Sequence, residues 1–235
     1  MGKSKILVLV EGEKTDYKLM QHLLNVYGIG DKHEIVSYNT NIYTLYNEMF
    51  GEGDPDSLDI KQILKAHEKD VEKKKIFDIN FSDVLLIFDL DPHDPQFSPD
   101  KIIKMAEYFV ESSDMGKLYI NYPMVEAFYH MKSIPDEDYN NYVATIDELK
   151  NKLYKTRVAK ENRNHDYRKF AVNKEECSTI IRQNIEKAKL IANSIETGDI
   201  LEAQLDLLSI QELISVLCTC AFYIPDYNSK FIGEL

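Results

Sequence analysis

Two apolar runs that end in acidic residues constrain the fold of this chain more than any other feature. Residues 6–10 read Ile-Leu-Val-Leu-Val, and Glu11 follows them directly. A second run at 83–88 is followed by Asp89 and Asp91. Continuous apolar runs of this length are typical of strands that are buried on both faces of a parallel sheet. We therefore expect an α/β fold whose strands end in acidic residues.

Further patterns extend these two strands into a sheet that is flanked by helices. Apolar residues recur at helical spacing after Asp16, and Gly28 supplies a stop signal for that helix. Short strands are predicted at 34–38 and 117–120, and Ser98-Pro99 is typical of a helix start. The sequence thus predicts a Rossmann-like central parallel sheet with helices packed on it.

The α/β pattern covers residues 1–133, which we expect to form one domain. Within it, 39–78 is interpreted as a helical insertion with a turn at 53–55 and a mixed-charge helix at 59–75. A short helix is also predicted at 124–131, after the last strand.

Residues 134–235 are predicted to form a helical region that packs on this domain. Amphipathic stripes at 177–195 and 203–221 indicate two long helices. The three cysteines form no Cys-x-x-Cys pair, and two of them fall in the second stripe. We therefore expect buried reduced thiols, as in a cytoplasmic protein.

The charge of the chain limits the classes of partner that it can bind alone. The formal net charge is −12 over 235 residues, whereas a free-standing, non-specific nucleic-acid binder is normally basic. No apolar run reaches the roughly 18 residues that a membrane helix needs, so no membrane association is expected. The first apolar run is also too short for a secretory signal.

Four carboxylates are predicted to meet at one edge of the sheet. Glu11, Asp89 and Asp91 directly follow two strands, and Glu126 follows a third strand by about five residues. Crowded carboxylates repel each other, and a hard divalent cation such as Mg²⁺ relieves that repulsion. Two such ions can hold the attacking and leaving oxygens of a phosphodiester. The pattern therefore favours metal-dependent phosphodiester chemistry.

Each of these carboxylates also has an ordinary structural interpretation. Glu11 could accept hydrogen bonds at a helix start, where acids are favoured. Asp89 and Asp91 could be turn residues, as we expect Asp94 to be. Glu126 could be a solvated helix residue. Their joint position at strand ends is what favours a metal site.

Three segments resemble the motifs of Toprim domains. Residues 10–16, Val-Glu-Gly-Glu-Lys-Thr-Asp, resemble the first motif, and 86–91 resemble the second, an Asp-x-Asp after a later strand. The chain is most similar to the OLD and RloB-like group, which are nucleases of bacterial anti-phage systems and often work beside an ATPase. Asp16 stands where that group often has Glu. Residues 122–126 resemble its Pro-x-x-Glu element.

The resemblance implies a Toprim nuclease that cuts DNA or RNA, tRNA included, as a toxin effector of anti-phage defence. It implies Mg²⁺ or Mn²⁺ as the cofactor, held by Glu11, Asp89, Asp91 and Glu126. Lys14 is included among the candidate catalytic residues as the basic residue nearest the motifs. Glu13 stands where an ATP-binding loop needs Gly, so any ATPase partner is a separate chain.

A basic stretch at 157–169 is the candidate for nucleic-acid binding, and Arg163, Arg168 and Lys169 are the residues that we expect to contact the nucleic acid. Tyr167 and Phe170 interleave with it and could stack on bases. The pattern by itself favours a solvated surface over a binding face.

Two other functions are compatible with the sequence, and so is a homodimer. A haloacid-dehalogenase-like phosphatase would use Asp89 as its nucleophile. His93 stands where that motif usually has Thr or Val. A non-catalytic Toprim-like module that binds a partner is the other alternative, although it would have no chemical need for the acids.

Overall fold

A four-stranded parallel sheet forms the centre of the protein. The computed structural model describes residues 4–51, 55, 58–113 and 115–233. The strands are β1 (Lys5–Val10), β2 (His33–Ser37), β3 (Phe81–Asp89) and β4 (Lys117–Asn121), in the order β2-β1-β3-β4. The predicted α/β class with a parallel sheet is confirmed, and the arrangement is compatible with a Rossmann-like fold.

The apolar runs form the two central strands because both of their faces are covered. Leu7, Val8, Leu9 and Val10 of β1 are fully buried, and Leu86, Ile87 and Phe88 of β3 are too. In the parallel register, Val8 lies between Ile35 of β2 and Leu85 of β3. All four strands run in the same direction, so their carboxyl ends lie at the same edge of the sheet.

Helices follow or connect these strands. They are α1 (Thr15–Val26), α2 (Ile42–Phe50), α3 (Ile60–His67), α4 (Val71–Lys74) and α5 (Pro99–Tyr108). The predicted stop at Gly28 and the predicted start at Pro99 are confirmed, since α1 ends just before Gly28, whose φ is +69°.

The single helix predicted at 59–75 is wrong, because two capping residues divide the segment. The Asp59 side chain accepts a hydrogen bond from the Lys61 amide and begins α3. The Asp70 side chain accepts one from the Glu72 amide and begins α4. Of the turn predicted at 53–55, residues 53 and 54 lie outside the described part of the chain.

The strand order creates a crevice between β1 and β3. From β1 the chain crosses to β2 on one side, and it later returns to β3 and β4 on the other. Right-handed crossovers then place α1 and α5 on opposite faces of the sheet. Ligands of open α/β sheets bind where the strand order reverses in this way, outside the carboxyl ends of the strands.

The C-terminal region is mostly helical but also contains a small antiparallel sheet. Its helices are α6 (Ile146–Lys150), α7 (Leu153–Glu161), α8 (Lys174–Ala192), α9 (Thr197–Gln211) and α10 (Tyr223–Tyr227). Its strands are β5 (Val143–Thr145) and β6 (Leu213–Ser215), which the sequence did not predict.

The predicted helical stripe at 203–221 is therefore wrong after Gln211. Glu212 adopts a left-handed conformation with φ +57°, which ends α9 and turns the chain into β6. The buried side chain of Gln204 bonds both the amide and the carbonyl of Ser215, at 2.9 and 2.8 Å. This contact holds the returning strand against the helix.

Hydrogen bonds attach this region to the edge of the sheet at β4. Thr219 Oγ1 donates to the Ile120 carbonyl at 2.7 Å, and Thr197 Oγ1 donates to the Leu118 carbonyl at 2.8 Å. Tyr122 and Leu217 exchange backbone hydrogen bonds just beyond β4. In the part of the chain that the structure describes, no helix combines the length and apolarity needed to span a membrane.

Candidate functional site

Glu11 and Asp89 lie side by side at the carboxyl ends of the two central strands. The Glu11 amide donates to the Ile87 carbonyl at 3.1 Å, which continues the ladder between β1 and β3. The Asp89 amide then donates to Glu11 Oε2, also at 3.1 Å. This bond fixes the Glu11 carboxylate over the crevice.

Asn121 orients the Asp89 carboxylate from the neighbouring strand. Its Nδ2 donates to Asp89 Oδ1 at 3.3 Å, and its Oδ1 accepts from the Cys220 amide at 3.2 Å. Asn121 is fully buried, and Asp89 is 7% exposed. Sequence reasoning missed Asn121, although its place at the end of a predicted strand is the signal that could have identified it.

The backbone brings Asp91 to the same crevice in a left-handed conformation, with φ +41°. Asp is one of the few residues that tolerate this region. The Leu90 amide donates to the Asn121 carbonyl at 3.1 Å, and the Asp91 amide approaches the Pro123 carbonyl at 3.4 Å. Asp94 lies in the turn that follows, as predicted, where its side chain accepts hydrogen bonds from Asn41 and the Gln96 amide.

Asp16 is a fourth acid of the crevice that sequence reasoning did not assign to the site. It lies in the first turn of α1, is 8% exposed, and its Oδ1 has no hydrogen-bond partner. A Cβ on Gly12 would lie 2.8 Å from Asp16 Oδ2, so a glycine at that position leaves room for the carboxylate. The sequence feature that could have assigned Asp16 to the site is its position at the last acid of the first Toprim-like motif.

Glu126 pairs with a lysine that comes from the C-terminal region. The helix predicted at 124–131 is confirmed in a shorter form, as a 3-10 helix at Val125–Tyr129. Glu126 is 4% exposed, its Oε1 lies 3.2 Å from Lys155 Nζ, and its Oε2 has no hydrogen-bond partner. Lys155 lies on α7, and its side chain is 61% exposed. Nothing local in the sequence pointed to Lys155.

These groups surround a cavity of about 400 Å³. Glu11, Asp16, Asp89 and Asp91 line it, together with Lys152, Lys155, His93 and Tyr154. Glu126 adjoins the cavity through its contact with Lys155. The predicted residues Glu11, Asp89, Asp91 and Glu126 are therefore brought together by the fold, and their roles stay predictions.

Burial disfavours the charged forms of the carboxylates around this cavity. Burial, with the charge of Asp91, raises the pKa of Glu11 to about 8, against the opposing hydrogen bond from the Asp89 amide. Burial, with the charge of Glu126, raises the pKa of Asp16 to about 6. Burial and the charges of Asp16 and Glu11 also raise the pKa of Asp89, and burial raises that of Asp91. Burial alone would disfavour a cation as well, but the repulsion between the acids, which also raises these pKa values, would be relieved by positive charge in the cavity.

Lys155 is the lysine of this cavity that forms an ion pair with one of the acids, Glu126. Burial lowers the pKa of Lys155, but the charges of Glu126, Asp89 and Asp91 outweigh that effect and raise the pKa above its ordinary value. The ammonium group therefore stays charged at neutral pH beside the acids.

The side chains do not form a ready-made metal cage. Within the described residues, no three His, Cys, Asp or Glu side chains are grouped closely enough to ligate one ion. The donor chemistry nonetheless fits a hard cation, since all the acids offer oxygen, and two of their buried oxygens lack partners. Mg²⁺ needs only one or two carboxylates, because it keeps several of its waters.

The predicted basic residues lie outside this cavity. Lys14 lines a neighbouring cavity and does not line that of the acids. Arg163 pairs with Glu176 at 2.9 Å, and Arg168 pairs with Asp166 at 2.9 Å. Lys169 is exposed and donates its amide to the Asp166 carbonyl.

Comparisons with protein-family models, with curated proteins and with solved structures found no match to this chain. The resemblance to Toprim motifs therefore stays a prediction. The geometry of the acids and of Lys155 carries the functional argument.

Proposed function

We propose that this protein is a metal-dependent nuclease of the Toprim type, which hydrolyses phosphodiester bonds in DNA or RNA. The observation that carries the proposal is the convergence of Glu11, Asp16, Asp89 and Asp91 on one cavity, where burial raises the pKa of each. Perturbed acids that share a crevice at the reversal of strand order are typical of a functional site.

The residues present are suited to hold Mg²⁺ or Mn²⁺. Glu11, Asp89 and Asp91 supply carboxylate oxygens from rigid strand ends, and Glu126 and Asp16 each have a buried oxygen without a partner. A bound cation would neutralise phosphate charge and activate a water molecule as the nucleophile. It would also remove the cost of ionising the acids together.

The side chains around the cavity have separate tasks in such a reaction. The Glu11 carboxylate, which the Asp89 amide holds at the crevice, is suited to accept a proton from the attacking water once a cation has offset the charge of its neighbours. The exposed ammonium of Lys155 is suited to contact a phosphate oxygen on which negative charge develops. Asn121 keeps the Asp89 carboxylate directed into the cavity.

The biological role that we propose rests on the resemblance to the OLD and RloB-like group. It is that of an effector in anti-phage defence that works with a separate ATPase chain. The net charge of −12 supports a partner that supplies targeting, because the chain has little basic surface of its own.

The test is cleavage of plasmid DNA, single-stranded DNA and total tRNA with Mg²⁺ or Mn²⁺. Native protein is compared with Glu11→Gln, Asp89→Asn and, as a matched control on the exposed surface of α9, Asp206→Asn. We expect metal-dependent cleavage that the first two variants lose and the control retains. Cleavage that survives in Glu11→Gln and Asp89→Asn would contradict the proposed site. Hydrolysis of small phosphomonoesters alone would instead favour a phosphatase.

A further inference from the structure

A second cavity, of about 350 Å³, adjoins the acid site and differs from it in charge. Three cationic side chains line it, from Lys14, Lys18 and Arg168, and the acid among its lining residues is Asp166. Arg168 already bonds Asp166 through Nε and Nη2, at 2.9 and 3.0 Å. Lys14 and Lys18 are exposed, and neither has an ion-pair partner among the described residues. In an acidic protein this cavity is therefore suited to an anion.

The same cavity contains a pair of stacked aromatic rings. The rings of Tyr129 and Tyr167 have centroids 4.1 Å apart and an interplanar angle of 6°. Tyr129 is buried, whereas Tyr167 is half-buried and lines the cavity. Stacking on the buried Tyr129 therefore holds the Tyr167 ring in position, and the Tyr167 ring remains accessible from the cavity.

Phe170 supports this pair and does not itself offer a stacking face. Its ring is fully buried and packs edge-on against Tyr129, with centroids 5.5 Å apart. The expectation that Phe170 could stack on bases is therefore wrong. Tyr167 is the aromatic residue of the basic stretch that keeps this ability.

Short stretches of chain connect the two cavities. Lys14 lies between Glu11 and Asp16 in the turn before α1. Tyr129 belongs to the same 3-10 turn as Glu126. A ligand in the second cavity would consequently lie near the acids, from which only a few residues of each segment separate it.

We infer that the second cavity binds one unpaired nucleotide of a single-stranded nucleic acid, with its base on Tyr167 and its phosphates at Lys14 and Lys18. Aromatic rings stack on bases of any sequence, and lysines follow the phosphate backbone. A base inside a duplex is covered on both faces by its neighbours, so it cannot stack on Tyr167 unless it leaves the helix. The place of this nucleotide beside a scissile bond rests on the proposed nuclease function, but its binding does not.

Binding is measured in EDTA by the fluorescence anisotropy of labelled 12-nucleotide oligo-dT and oligo-U, with a blunt-ended duplex of 12 base pairs, which has no unpaired nucleotide, as competitor. We expect Tyr167→Ala to weaken binding about 5- to 150-fold, from the usual contribution of one stacked base. Tyr167→Phe keeps the ring and should bind as the native chain does. Lys18→Gln should weaken binding and reduce the salt dependence by about 0.7 in logarithmic slope. Lys189→Gln, exposed at the far end of α8, is the matched control.

Equal affinity for duplex and single strand would overturn the inference, and so would an unchanged affinity of Tyr167→Ala. If Tyr167→Ala does not fold, the inference is tested by the two other measurements. An unchanged salt dependence of binding in Lys18→Gln, or competition by the duplex as strong as that by a single strand, would overturn it. Strand binding that depends on Tyr167, without metal-dependent cleavage, would uphold the subsite and contradict the nuclease. Metal-dependent cleavage, together with strand binding that Tyr167→Ala leaves unchanged, would uphold the nuclease and contradict the subsite.

Discussion

The Asp89 amide donates a hydrogen bond to Glu11 Oε2 at 3.1 Å, between the ends of adjacent parallel strands. The bond favours the ionised form of Glu11, while burial and the charge of Asp91 favour the neutral form and prevail. The end of β3 therefore has two effects on Glu11. The Asp89 amide holds its carboxyl group in place, and the nearby charge of Asp91 opposes its ionisation. Its protonation state depends on what else occupies the crevice.

Replacing Asp16 by Asn should stabilise the metal-free protein and weaken its stabilisation by Mg²⁺. Burial opposes the charge of Asp16, so removal of that charge should add on the order of 1–3 kcal/mol at pH 8. For a chain of this length, each kcal/mol raises Tm by about 2–4 °C. Calorimetry with and without Mg²⁺ measures both effects, and Asp206→Asn is the matched control. If Asp16→Asn has a lower Tm than the native protein without metal, and Mg²⁺ raises its Tm as much as it raises that of the native protein, Asp16 does not belong to the metal site.

The difference in stability between native protein and Glu11→Gln should depend on pH. The pKa of Glu11 is raised from 4.5 to about 8 by folding, so the folded state binds more protons between these values. Native stability is then lost as pH rises through that window, whereas Gln does not titrate. The free energy of unfolding of Glu11→Gln should therefore rise relative to that of the native protein between pH 5 and 8, and the difference should stay constant above pH 8.

Urea unfolding at a series of pH values measures this difference. The lowered pKa values of His130, about 4, and Lys187, about 7, act in the opposite sense, but they are common to both proteins and cancel. A difference that stays constant between pH 5 and 8 would show that Glu11 is not perturbed.

Replacing Lys155 by Met should reduce cleavage by about a hundredfold or more, the usual loss when a group that stabilises transition-state charge is removed. Binding of Mg²⁺ should be unchanged or tighter, because a competing cation has gone. Single-turnover cleavage and metal titration separate the two effects. Lys160→Met, exposed on the same helix, is the matched control. Equal losses of metal binding and cleavage would instead indicate a structural role for Lys155.

Replacing Gly12 by Ala should displace the Asp16 carboxylate, since the new Cβ would lie 2.8 Å from Oδ2. The end of a side chain can move where backbone cannot, so we expect little change in Tm but a loss of Mg²⁺ affinity of about tenfold, the lower end of the usual cost of disturbing a group that supports a metal site. In an Asp16→Asn background, Gly12→Ala should have little further effect on metal affinity. Additive losses in that double-mutant cycle would show that Gly12 acts by another route.

The strand ends of the site could be predicted from sequence, because a doubly buried strand is a continuous apolar run and its last residue is easily recognised. Glu11, Asp89 and Asp91 follow such runs directly. Asp16 was harder to assign, since an acid in the first turn of a helix is usual without any site. Its role emerges only from its burial and its unpaired oxygen.

Lys155 could not be predicted, because its position depends on how the C-terminal region packs against the sheet. The same dependence explains the wrong helix at 203–221. Apolar residues in 213–218 fit a buried helix or a strand equally well. The side chain of Gln204, which bonds the backbone of Ser215, decides between them.

The contact between Glu126 and Lys155 has a consequence for the growing chain. Every acid of the crevice is synthesised before Lys155, which follows Glu126 by 29 positions. A polypeptide still attached to the ribosome at residue 133 would contain all five acids without the ammonium that answers them. Synthesis must therefore reach Lys152 and Lys155 before the crevice acquires the lysines that line it, and a chain that terminates before them retains the acids but lacks both cations.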